Sequence, residues 1–131
     1  MPKPFTKPTE REVREFCLRA PPAIPGAYLA YLREYGAVQV DVPHIASGFV
    51  AFWPLAEVLP LNEGYAIAKF APGLFAFGTD GSGQLYVFDV RDPQRVSVGY
   101  VPSIPLELNE YRVLASSFEE FANELSQGSP A

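Results

Sequence analysis

The chain has 131 residues, of which 48% are apolar and 14% aromatic, so it can bury the core of one domain and is not a disordered segment. The net charge is −5, and its distribution is uneven: residues 1–20 carry five basic and three acidic groups, residues 21–100 four and seven, and residues 101–131 one and five. Phosphate backbones repel such a balance, which argues against direct nucleic-acid binding, and no apolar run reaches the length of a membrane span.

Helix signals come first along the chain. Thr9-Glu10-Arg11-Glu12 has capping-box spacing and predicts a helix over 10–19, with Val13, Phe16, Cys17 and Ala20 on its apolar face. Pro21-Pro22 ends it. Pro25 suits the first turn of a second helix over 26–35, with Tyr28, Leu32 and Tyr35 as its buried stripe and Gly36 as its stop.

The period then changes. Val38, Val40 and Val42 alternate with polar residues and predict a strand near 37–42, followed by another near 48–53. Pro54 to Leu59 fits a short helix, and residues 60–73 read as irregular. Leu74 to Asp89 carries the strongest signal: two apolar runs flank Gly78-Thr79-Asp80-Gly81-Ser82-Gly83. A glycine-rich turn can cradle phosphate, but a phosphate loop leads into a helix. Here Leu85 and Val87 alternate with Tyr86 and Phe88, so strands near 74–79 and 84–91 joined by a tight reversal are expected.

Asp92-Pro93-Gln94 makes the next turn, and a strand follows near 95–101. Pro102 and Pro105 interrupt the chain, and Tyr111 to Ala115 fits a short edge strand. Ser116 or Ser117 caps a last helix over 117–125, with Phe118, Phe121, Ala122 and Leu125 on its apolar face. The sum is an α+β fold of one domain, residues 1–131 with a core of about 9–126 and frayed ends. A mainly antiparallel sheet meander holds the middle, and N- and C-terminal helices pack on one face.

Chemistry-bearing residues are few. Cys17 is the sole cysteine and His44 the sole histidine. A thiol on an apolar helix stripe is an inert core residue, and a histidine after Pro43 in a connection is solvated. One Cys and one His fall short of a zinc set, and Asp80, Asp89 and Asp92 lack EF-hand spacing, so no metal or cofactor is expected. Without an internal disulfide or a hydrophobic signal region after Met1-Pro2-Lys3-Pro4-Phe5, a cytoplasmic location is expected. Trp53 reads as a plug of the sheet–helix core rather than a binding aromatic.

Five motifs carry a resemblance. Ile24-Pro25-Gly26-Ala27-Tyr28 with Leu32 and Tyr35-Gly36 resembles the "Leu-Pro-x-x-Tyr…Phe-Leu…Asn-Gly" opening of the Smi1/Knr4 family, in the SUKH superfamily. Trp53-Pro54-Leu55-Ala56-Glu57-Val58 is similar to its short helix, and Asn62 falls where the family often has Asn. Phe77-Gly78-Thr79-Asp80-Gly81 resembles its "Ile-Gly-Ser-Asp-Gly" turn, and Ala115-Ser116-Ser117-Phe118-Glu119-Glu120-Phe121 its closing helix. The match departs at Tyr35-Gly36-Ala37, where the family favours Asn-Gly-Gly, and in the proline-rich start.

The resemblance implies a binding protein rather than an enzyme. Bacterial members resemble immunity proteins that neutralise toxins, often nucleases, and fungal relatives act as regulatory or scaffolding adaptors. An immunity protein with a cognate toxin as partner is therefore the expected function, an adaptor the alternative, and a small-ligand or hydrolytic pocket beside Trp53 the more distant one. A nuclease presents a basic surface, so the acids near the connections, Glu57, Glu63, Asp80, Asp89 and Asp92, are the expected partner contacts.

Overall fold

A computed structural model describes residues 5–45 and 47–127 and the backbone of 129–130. Helix α1 spans Glu10–Arg19 and opens with the full capping box: Thr9 Oγ1 accepts from Glu12 N–H while the Glu12 carboxylate accepts from Thr9 N–H. Helix α2 spans Gly26–Tyr35 and stops at Gly36, whose φ is +80°. A Cβ on Gly36 would also meet the carbonyl oxygens of Phe5 and Thr6 at 2.8 Å. Glycine is thus needed both for the turn and for the close passage of the N-terminal segment.

Strands β1 (Gln39–Asp41) and β2 (Phe49–Phe52) form the first hairpin. Strands β3 (Leu74–Thr79) and β4 (Gln84–Asp89) form the second, then β5 (Ser97–Pro102) and β6 (Arg112–Ala115) follow. A two-residue strand β7, Ser129–Pro130, pairs with β1 where the sequence predicts fraying; Gly128 and Ala131 lie outside the described residues. In the order β6-β5-β4-β3-β2-β1-β7, strands β1 to β6 form an antiparallel meander, and β7 crosses back to the far edge beside β1. Helix α5 (Phe118–Leu125) is capped by Ser117, which accepts from Glu120 N–H.

The core is aromatic. Tyr28 of α2 is fully buried and sits within 5.2–6.4 Å, ring to ring, of Phe16, Phe52, Phe77, Phe88 and Phe118. Phe121 of α5 packs on Phe77 and Tyr86. Along β4, Leu85 and Val87 point to one side of the sheet and Tyr86 and Phe88 to the other, yet all four are buried, so this strand is covered on both faces.

Three expectations change. Residues 60–73 are not irregular: helix α3 runs Leu55–Tyr65 through Pro60 and Gly64, and α4 covers Ile67–Phe70. The two breaker residues are overridden because Leu55 and Val58 are buried in the core and Asn62 is anchored to β3. Cys17 is exposed, since α1 touches the core by a narrow stripe of Val13 and Phe16, and the next position turns away. Tyr35 is 53% exposed, and Tyr31 takes its place against the core by packing on Phe52 at 5.2 Å.

Candidate partner-binding surfaces

The Gly78–Gly83 segment is a hairpin turn. Gly81 and Gly83 have φ of +78° and +104°, and a strand follows at Gln84, so the helix a phosphate loop requires is missing. Asp80 organises the turn from inside. It is 3% exposed; Oδ1 accepts from the N–H groups of Ser82 and Gln84, and Oδ2 accepts from Ser82 Oγ–H. Burial raises its pKa, but these donors and Ser47 outweigh it and hold the carboxyl below its ordinary value.

The other four acids are distributed. Glu57 is exposed on the first turn of α3, and Glu63, further along the helix, is 3.7 Å from Arg19. Asp89 ends β4 and takes two bonds from the Arg91 guanidinium, at 2.9 and 2.7 Å. That guanidinium holds its carboxyl below the usual range, against the pull of partial burial. Asp92 is exposed in the following turn, where it accepts from Gln94 N–H. Asp80 and Asp89 sit at opposite ends of β4, about 17 Å apart by strand rise, so no single patch holds all five. The expected exposure of Asp80 is not met, because its carboxylate faces the turn backbone.

Trp53 is 9% exposed and stacks parallel on Tyr65, ring centroids 6.1 Å apart, and it does not line the α1–α3, α3–α4 or α2–α5 clefts among the described residues. His44 Nε2 bonds Glu124 Oε2 at 2.5 Å, tying the β1–β2 connection to α5 rather than meeting Cys17. Among the described residues, no group of three His, Cys, Asp or Glu side chains could hold a metal ion, and no helix is long and apolar enough to cross a membrane.

Among the described residues, two clefts stand out by volume. One, of about 450 Å³, lies between α3, α4 and the start of β3; Leu59, Ile67, Leu74 and Phe75 line it, with Arg19, Glu63 and Lys69 around them. The other, of about 430 Å³, runs between α2 and α5. Ala27, Ala30 and Ala122 line it beside the Tyr31–Tyr35 pair, whose rings are 4.8 Å apart. Burial, and then the neighbouring Tyr35, push the Tyr31 hydroxyl up to about 12, so it is neutral at physiological pH. Sequence reasoning misses this groove, since it places Tyr35 inside; three alanines and two tyrosines on the facing helices are the available signal.

A meander packed by terminal helices, with exposed grooves and a glycine–aspartate hairpin, makes a small α+β domain. The family description that matches it is SMI1 / KNR4 family (SUKH-1), over residues 7–124, and the chain belongs to that family. Its domains are in general binding and immunity proteins rather than enzymes. No curated protein gives a significant match to the chain.

Proposed function

We propose that this chain is a non-enzymatic, cytoplasmic immunity-type protein that neutralises one cognate toxin by occupying it stoichiometrically. The observation that carries the reading is family membership over nearly the whole chain. The net charge of −5 supports a partner with a basic surface, as a nuclease must have to hold phosphates. Glu57, Glu63, Asp89 and Asp92 supply part of the complementary field. They are dispersed around the molecule, so their effect is on encounter rate more than on one contact.

The test is co-expression of the chain with the product of each adjacent large reading frame, followed by co-purification and a growth-rescue assay. Rescue together with a stable equimolar complex is the expected outcome. With the partner in hand, the association rate should fall steeply with salt, because screening reaches about 10 Å at 0.1 M. Reversing the four charges should flatten that dependence. A complex without toxin rescue would point to the adaptor role instead. Substrate turnover abolished by one mutation would overturn the binding reading.

A further inference from the structure

We infer that the α2–α5 groove is the docking surface for a basic, amphipathic helical segment of the partner protein; this rests on the protein-binding reading above. The groove has an apolar floor and an acidic rim. Ala27 and Ala122 are half-buried and Ala30 is exposed, so small side chains let a partner backbone approach closely. Tyr31 and Tyr35 form one wall, and Tyr35 is 53% exposed, an aromatic surface of the kind that anchors interfaces.

Charge selects the occupant. Glu34 and Glu119 are exposed along the groove, and neither takes part in a salt bridge among the described residues. Arg33 is the one basic residue of α2, and its guanidinium is bound by both oxygens of Glu10 on α1, at 3.1 Å each. Helix α5 carries no basic residue. The groove therefore presents negative potential over an apolar floor. A second copy of this chain, acidic in the same place and with a net charge of −5, is repelled by it. Helices of ten and eight residues give a trough of about 12–15 Å, two to three turns of a docked helix. The dispersed acids then steer the encounter, while the groove sets how long the complex lasts.

The experiment uses the full chain, isotope-labelled, and two synthetic helical peptides that share a leucine–phenylalanine face. One carries lysine on its polar face and the other glutamate. Amide shifts in 26–35 and 118–123 should move with the lysine peptide and not with the glutamate peptide. Ala30→Arg, and the pair Glu34→Lys with Glu119→Lys, should each weaken binding at least tenfold. Glu107→Lys, an equal charge change per site on an exposed connection, should stay within twofold. Melting temperatures of all variants control for misfolding.

Shifts spread over the whole acidic surface, or gathered at the α3–α4 cleft, would overturn the assignment. So would slow tumbling of the peptide-free protein caused by self-association through the groove. If groove variants still bind a rescued toxin as tightly as the parent, the docking surface is wrong while the immunity reading stands. If no neighbouring product binds or is neutralised, it is that reading which fails.

Discussion

The side-chain amide of Asn62 pairs with the main chain of Ala76 as a missing strand would. Asn62 Oδ1 accepts from Ala76 N–H at 2.9 Å, and Nδ2–H donates to Ala76 O at 2.8 Å and to Val58 O at 2.8 Å. Strand β2 pairs with β3 only as far as Phe52↔Gly78, and the Trp53 N–H bond to Phe77 O is its last contact. The chain then leaves the sheet to form α3, and the edge of β3 beyond that point would stand unpaired. An amide offers a donor and an acceptor at peptide spacing, so Asn62 closes the ladder and fixes α3 to the sheet in one step.

Asn62→Ala should therefore destabilise the protein by about 2–4 kcal/mol, because the Ala76 N–H and C=O both lose their partner. Asn62→Asp should also destabilise at neutral pH, since a second carboxylate oxygen would face the Ala76 carbonyl. The difference in melting temperature between Asn62→Asp and the parent should shrink on acidification, when the protonated acid can donate. A constant difference across pH would show that the pairing with Ala76 does not govern stability.

Two buried tyrosines should respond in opposite ways. The hydroxyl of Tyr28 is fully buried and has no hydrogen-bond partner among the described residues, and burial pushes its pKa well above the ordinary phenol value. Tyr28→Phe should gain about 1 kcal/mol, because the desolvation cost of an unpartnered hydroxyl disappears. The Tyr86 hydroxyl donates to Phe49 O at 2.8 Å. Tyr86→Phe should lose about 1 kcal/mol with that bond. Urea melts of the two variants, with equal signs for both changes, would contradict this contrast.

The acid limb of stability should trace to Asp80 and Asp89. Both carboxyls are held below their ordinary value in the folded chain, Asp80 by the turn donors against burial and Asp89 by Arg91. A lowered folded pKa stabilises above the unfolded carboxylate range and is lost as pH falls through the folded value. Asp80→Asn keeps an acceptor for the Ser82 and Gln84 N–H groups while removing the charge. It should be slightly less stable than the parent at pH 7 and show a flatter decline toward low pH in thermal melts.

At the hairpin, Gly81→Val and Gly83→Val should each cost about 1–2 kcal/mol from backbone strain at positive φ. At Gly83 nothing lies within 4 Å of an added Cβ, so the loss there must come from φ alone. A Gly83→Val variant as stable as the parent would remove the strain argument.

Much of the fold is legible in local chemistry. Thr9 and Ser117 announce their helices because a hydroxyl that reaches a free N–H acts within one turn. Gly36 and the Gly78–Gly83 hairpin are equally local, as conformational limits belong to single residues. The helix through Pro60 is not legible in this way, because what holds it is a bond to a residue 14 positions away. Asp80 is a mixed case, since its bonds to Ser82 and Gln84 are local to the turn while the Ser47 donor comes from a distant part of the chain.

By itself the sequence determined most of the helices and the run of strands in the meander, which follow from periodicity, caps and turn residues acting over a few positions, while the family was legible only as a resemblance of its motifs. Periodicity placed the inner stripes of the helices, and only the tertiary structure decided the faces at their margins. Tertiary packing turned Tyr35 and Cys17 to the surface, helped to enclose Asp80, and set the alanines of α2 and α5 side by side as a groove. At those margins exposure depends on which helix packs on which, and that is fixed by the summed burial of distant residues rather than by the local pattern.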